Sequence, residues 1–470
     1  MQETDEKFER VLARKDVLAL AFGAMIGWGW VVLAGDWVQT AGSLGASLAF
    51  LIGSVVIILI GLTYAELCAA MPVVGGGYVY SYRALGITAS FICTWSLILC
   101  YVSVVAFEAV ALPTVVEYLF PSYVQGYMWN IAGWDVYATW VLVGVVGSVV
   151  ITIANYFGVK TTAVLQTVLT LFIAIVGIMF MTGSLFNGAS VNMQPLFVGG
   201  SKGVFAVLIA VPFMFVGFDI IPQTAGEINM PAKAIGKVLI VSVLMAAAWY
   251  IFIILAVARG LSPEAMSATK LASADGMQAV FNSHWAGKLM ILAGIGGIIT
   301  SWNAFFIGAS HAIYAMANAR MLPGFLAKLH PKYKTPTNAI FLISIISIIA
   351  PFFGRQTLVW LVDAGGFGII LSFIFVAWAF LVLRKREPNM VRPFKVKYGT
   401  LVGYLAVISS VALALLYMPF SPTALVWPYE WVILLGWMGL GIVFYTYARI
   451  KFGKATSDRI MQNELTKLNN

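Results

Sequence analysis

Charge is what this sequence has least of. Only 10% of its 470 residues are Asp, Glu, Lys or Arg, while 61% are hydrophobic, against about 25% and 45–50% in soluble domains. So little charge cannot coat the water-facing surface of a chain this long, and the mean hydropathy of +0.93 places it in a bilayer. Histidine is scarce too. His284, His311 and His330 are the only three, and none is at metal-ligand spacing; His330 reads as a loop residue and His311 as a packed one. Cys68, Cys93 and Cys100 fall in apolar segments without paired spacing, so free thiols are expected. No Gly-x-x-x-x-Gly-Lys-Ser/Thr run exists, which argues against a primary pump. No His-Glu-x-x-His helix or nucleophile with its base argues for an enzyme, and the polar residues are isolated points rather than the lining of a channel. The first fifteen residues are polar and charged, and read as no signal peptide.

What the sequence has is apolar length. Runs near or above the roughly 18–20 residues that span a bilayer fall at about 17–40, 44–70, 87–112, 136–156, 162–183, 203–228, 235–258, 286–316, 337–353, 358–383, 400–419 and 430–449. Twelve spans put both termini on one side. With the termini inside, only Lys202, Arg259, Lys270, Lys288 and Arg355 of the 28 lysines and arginines face outward, the bias expected of a cell-membrane protein with cytoplasmic termini. The net charge of +9 therefore reports cytoplasmic loops and not a nucleic-acid partner. The outer loop from about Arg259 to Lys288 carries the helix start Ser262-Pro263-Glu264, and a short helix over the outer mouth is expected.

Within this frame the first and sixth spans are broken. Gly23-Ala24-Met25-Ile26-Gly27-Trp28-Gly29 packs three glycines into seven residues, each giving up roughly 1 kcal/mol of helix propensity. Phe213-Met214-Phe215-Val216-Gly217-Phe218-Asp219-Ile220-Ile221-Pro222 is the second interruption. In lipid a broken helix is tolerated only where its backbone lines a cavity or meets a ligand. Such a pair, one in each half of the chain, points to a transporter binding site. The exposed N–H end suits a carboxylate and the C=O end an ammonium, so a zwitterion fits. The N–H groups at Gly27, Trp28 and Gly29 are the expected carboxylate donors, and the carbonyls of Met25, Phe213 and Val216 the ammonium acceptors. Spans one to five and six to ten each begin with a break, the pattern of a 5+5 inverted repeat. The chain divides into a cytoplasmic N-terminal segment (1–16), a transporter domain (17–450; repeats about 17–183 and 203–383, appended helices about 400–450) and a cytoplasmic tail (451–470).

Several segments in order resemble one family: Gly27-Trp28-Gly29; Tyr64-Ala65-Glu66-Leu67 followed by Met71-Pro72 and Gly75-Gly76-Gly77-Tyr78; Asn155-Tyr156-Phe157-Gly158; Gly217-Phe218-Asp219 with Ala225-Gly226-Glu227; Ala319-Arg320-Met321-Leu322-Pro323; and Arg392-Pro393-Phe394. The chain resembles the bacterial amino acid permeases of the amino acid–polyamine–organocation (APC) superfamily over nearly its whole length. The resemblance implies an all-α integral membrane protein of twelve transmembrane helices, with the leucine-transporter fold, broken helices 1 and 6 and two C-terminal helices added. It also implies alternating access and an amino-acid or amine substrate. By position, Phe213 matches the aromatic gate over the substrate, Phe305 a substrate-lining residue of span eight, and Asp219 a position near the substrate side chain, beside Gly217. Trp28 departs from the small residue usual at the middle of the first-span motif, and its ring is expected to shrink or cap the pocket.

Coupling is open at this stage. The family's fifth-span lysine falls on Ile173 by ungapped count, whereas Thr300-Ser301 matches the hydroxyl pair of sodium-coupled relatives of this fold. With the carbonyls of Gly23, Ile26 and Gly297 it would make a five-oxygen cage for a sodium ion, the only cofactor expected. The other reading of the two hydroxyls is back-bonding to their own helix. Sodium is favoured over a proton, with uncoupled exchange third. Glu108, deep in span three, is a protonated hydrogen-bonding group, a proton carrier or half of an ion pair; Glu227 is a gating residue on the cytoplasmic side; Asp363 opens span ten as a solvated helix start. The expected function is uptake of a neutral amino acid, with a cationic amino acid or polyamine kept as the alternative through Asp219, and no obligatory protein partner.

Overall fold

The computed structural model describes residues 10–269 and 271–469; residues 1–9 of the N-terminal segment and Lys270 lie outside the described residues. The chain enters through α1 (Arg14–Met25), loses helical geometry at Ile26, and resumes as α2 (Gly29–Val32) and α3 (Ala34–Ala41). A long helix α4 (Ser43–Ala70) follows, then a short α5 (Gly77–Leu85) and α6 (Ile87–Leu119). A hairpin of β1 (Tyr127–Ile131) and β2 (Trp134–Tyr137) leads into α7 (Ala138–Tyr156) and α8 (Val159–Asn187). The hairpin departs from the sequence expectation of a fourth span over about 136–156: residues 136–137 close β2 and the helix starts at Ala138.

The second half repeats the theme. α9 (Gly200–Leu208) and α10 (Val211–Met214) precede a break at 215–219, and α11 (Ile220–Gln223) follows it. Gly217 is the pivot: its φ of +139° is a left-handed value that a side chain resists. Then come α12 (Ala232–Gly260), the two outer helices α13 (Pro263–Ala268) and α14 (Ala272–Phe281), and α15 (His284–Asn318). α13 starts where expected, the Ser262 hydroxyl accepting the Ala265 N–H. The chain closes with α16 (Thr337–Ile349), α17 (Thr357–Arg386), α18 (Gly399–Leu415), α19 (Tyr429–Phe452) and α20 (Lys454–Asn469).

Among the described residues nine helices are long and apolar enough to cross a membrane, and three shorter apolar helices lie at Gly200–Met214, Thr337–Phe353 and Gly399–Leu415. The packing is inside out. On α8, Val164, Val168, Leu171, Ile175 and Ile178 are exposed at alternating steps of four and three, a continuous apolar face at helical spacing that suits lipid tails. α1, α6 and α15 are instead buried on nearly all sides.

On the lysine- and arginine-rich end, Glu66 of α4 is fully buried and holds the loop after α17. Arg384 grips it with two hydrogen bonds of 3.0 and 2.5 Å, Arg392 pairs with it at 3.0 Å, and the Val396 N–H donates to it at 2.7 Å. The segment before α1 is strapped to the segment after α11: the Val11 and Leu12 N–H groups donate to the Glu227 carbonyl, and Asn229 N–H donates to Leu12, all at 2.9 Å. Asp363 does not open its helix. It lies inside α17, with Glu430 of α19 as a charged neighbour.

Candidate functional site

Both breaks meet at one place. Ala24, Met25, Gly27, Trp28 and Gly29 from the first, with Phe213, Met214 and Val216 from the second, surround a cavity of about 20 Å³, room for about one water molecule. Val104, Phe107 and Glu108 of α6, Tyr250 of α12, and Ser301 and Phe305 of α15 complete its wall. The close approach depends on missing side chains. A Cβ on Gly27 would lie 2.8 Å from both Glu108 Oε1 and Ser301 Oγ, and one on Gly297 only 2.6 Å from the Gly27 carbonyl.

The expected residues Met25, Gly27, Trp28, Gly29, Phe213, Val216 and Phe305 all line this cavity, whereas Gly217 and Asp219 do not. Asp219 is turned into the protein: it accepts the Tyr101 hydroxyl at 2.6 Å and the Gly217 N–H at 2.8 Å, fully buried. It braces the break from outside the cavity wall. The Trp28 ring packs directly on Gly294 of α15, where the missing side chain leaves it a notch.

Phe213 closes one side of the cavity. Its ring meets Phe107 edge-on, centroids 6.0 Å apart, and a Cβ on Gly365 of α17 would lie 3.0 Å from it. Phe305 packs on Tyr101 at 5.3 Å. Two polar side chains hold the break itself. Glu108 Oε1 and Ser301 Oγ lie side by side against Gly27, where an added Cβ would come within 2.8 Å of each, while Glu108 Oε2 has no hydrogen-bond partner among the described residues. The Tyr250 hydroxyl reaches the carbonyls of Met25 at 2.5 Å and Met214 at 3.2 Å, one from each broken helix.

Of the five oxygens expected to cage a cation, three lie together: Thr300 Oγ1 is 3.1 Å from the carbonyl of Gly23 and 3.1 Å from that of Gly297, and its one proton serves either of them at a time. The Ile26 carbonyl accepts the Trp30 indole N–H at 3.2 Å. The Ser301 hydroxyl lies in the wall of the central cavity beside Glu108. Ile173 packs its apolar side chain over Gly296. Glu227 lies away from the cavity; its carboxylate is 3.5 Å from His311 Nε2, and its backbone carbonyl carries the strap. His311, expected to be a packing residue, has its Nδ1 2.7 Å from the Ile307 carbonyl.

Tyr250, Tyr101, Phe107 and Val104 were not singled out from sequence. Tyr250 did carry a signal: it sits mid-helix in an apolar run, far from the headgroup level where tyrosine is usual.

Residues 12–448 match the amino acid permease family. The chain belongs to that family. The permease is 28% identical to a branched-chain amino acid permease of Bacillus subtilis over 454 residues, covering 94% of this chain and 93% of the relative. A methylthioribose transporter of the same organism is 27% identical over 464 residues, 95% of each chain. Its aspartate-proton symporter is 26% identical over 416 residues, 85% of this permease and 78% of the relative. These relatives are transporters, and the permease, like them, is a membrane protein.

Proposed function

We propose that this permease carries a neutral amino acid into the cell together with a proton, by alternating access across the cell membrane, with both termini cytoplasmic. Twelve crossings, five and five in inverted repeat plus two appended, fit the nine long and three shorter apolar helices and the two breaks. The substrate carboxylate takes the N–H groups at Trp28 and Gly29, its ammonium takes carbonyls at Met25 and Val216, and its side chain lies among Val104, Phe107 and Phe305. An apolar wall and an Asp219 turned elsewhere favour a neutral side chain over a cationic one.

The observation that carries the coupling is Glu108 in the cavity wall at the first break, its Oε1 within 2.8 Å of where a Cβ on Gly27 would stand. An ionised Glu108 and a substrate carboxylate at the Trp28 and Gly29 N–H groups would repel each other in a low-dielectric site. A protonated Glu108 removes the repulsion, so substrate and proton are bound together. Ser301 stays as the neutral partner of the carboxylic acid. Outward closure falls to Phe213 and Phe107. Inward closure falls to the strap between 11–12 and 227–229, with Glu227 and His311 beside it.

Proteoliposome uptake of radiolabelled amino acids, amines and methylthioribose under separate proton and sodium gradients tests this. Proton-driven accumulation of a neutral amino acid is the expected result. Accumulation driven only by sodium overturns the coupling; accumulation of methylthioribose but of no amino acid overturns the substrate class.

A further inference from the structure

Beyond the central cavity, α6 continues outward. Phe107, Ala111, Thr114 and Tyr118 follow one another at steps of four, three and four, so one face of the helix runs from the central cavity to the outer end. Tyr118 lies eleven residues past Phe107, about 16 Å along the axis. There a second cavity of about 300 Å³ opens, lined by Thr114, Glu117 and Tyr118 of α6, Leu271 before α14, and Arg355 before α17. That volume is at the lower end of small-molecule sites, roughly 300–1,000 Å³.

Its chemistry is two-signed. Glu117 brings a carboxylate and Arg355 a guanidinium to one cavity whose remaining wall includes Leu271. Among the described residues neither side chain is in a salt bridge with the other or with any third residue. Arg355 lies over the Trp134 ring at 5.6 Å, and its charge is felt by Asp36 of α3. Tyr118 is fixed by its hydroxyl on Asp275 at 2.8 Å, which ties the α6 end to α14. An acid and a guanidinium on the wall of one part-apolar cavity, not paired with each other, match a ligand that carries both charges. Arg suits the bidentate carboxylate, and a carboxylate accepts an ammonium.

We propose that this outer cavity is a second binding site for the amino-acid zwitterion, a staging site on the way to the breaks, in which Arg355 takes the carboxylate and Glu117 the ammonium. The inference rests on the amino-acid reading above, because a cargo without both charges would have no use for the pair.

The test separates the two. The wild-type permease is first assayed with the radiolabelled amino-acid panel, and the most strongly accumulated member becomes the probe. Pro121→Cys, at the exposed rim, is then labelled from outside with a membrane-impermeant maleimide in full-length protein carrying Gly27→Leu to fill the central cavity. Gly29→Leu serves if that variant does not insert. The probe should slow labelling. Arg355→Ala and Glu117→Gln should each weaken the protection about tenfold, the loss of one charge-assisted hydrogen bond, and Arg355→Lys should keep part of it. The decarboxylated amine and the deaminated acid should not protect. Accumulation by the wild type with no protection of Pro121→Cys, or protection unchanged in both charge variants, overturns the staging site and leaves transport standing. No accumulation of any amino acid overturns both.

Discussion

The Tyr250 hydroxyl lies 2.5 Å from the Met25 carbonyl and 3.2 Å from that of Met214, so one side chain of α12 ties together the ends of both broken helices. A hydroxyl carries one proton and can fully satisfy only one of these carbonyls at a time. Tyr250→Phe leaves a buried carbonyl without its donor, at about 1–3 kcal/mol. The variant is expected to insert and melt close to wild type, yet take up substrate about tenfold more slowly, because the break loses its fixed geometry. Initial uptake rates beside a thermal melt check this; equal rates would mean that the tyrosine is only packing.

Glu108→Gln keeps the shape of the acid and fixes it in an uncharged form. Exchange of labelled for unlabelled substrate across the membrane should survive, since no charge in the cavity wall then repels a carboxylate. Accumulation driven by a pH gradient should disappear, since no proton travels with the substrate. Counterflow and gradient-driven uptake on the same vesicles separate the two, and retained proton-driven accumulation would move the coupling elsewhere.

Phe213→Ala removes the ring that meets Phe107 over the cavity. Its expected effect is on transport more than on folding, with uptake down by about tenfold or more, the equivalent of roughly 1.4 kcal/mol in the barrier. Wild-type-like uptake by properly inserted protein would remove Phe213 from the gate.

Because Ser301 faces Glu108 and not Thr300's carbonyl partners, replacing sodium by choline should leave uptake unchanged in wild type and in Ser301→Ala alike. A sodium stimulation that vanishes in Ser301→Ala would restore the five-oxygen cage.

Glu66→Gln tests the fold. It strips the anion from Arg384 and from Arg392, whose side chain is only 6% exposed. Breaking a buried pair on one side costs about 3–5 kcal/mol, so a marked fall in melting temperature is expected. An unchanged melt would show that water satisfies both guanidinium groups.

Much of this was legible in the sequence because lipid constrains a chain severely. The apolar runs marked the long helices, and the glycines at 27, 29 and 217 marked both breaks. Side-chain direction was not legible. Asp219 and Glu108 are both acids beside a break, and nothing in their spacing says that one turns to Tyr101 while the other lines the cavity. Nor could spacing show that Thr300 and Ser301, adjacent on a helix and so about 100° apart around it, serve different neighbours. The Trp28 ring needed Gly294, 266 residues away, to have a place to go. Tyr250 was hidden by a correct generalisation about tyrosine at membrane surfaces that fails for the rare one at mid-depth. The β1–β2 hairpin was missed because its second strand runs straight into an apolar helix.

The strap at residues 11–12 and 227–229 is made of main-chain hydrogen bonds. Its strength is therefore indifferent to which side chains occupy those positions, proline at a donor excepted. A latch of that kind can be retuned only from its flanks, through how firmly α1 and α11 hold their ends. In the proposed cycle, opening towards the cytoplasm is thus coupled to the rigidity of α1, whose end lines the cavity, and of α11, which follows the second break, so that a substrate stiffening the first break would also bear on the latch.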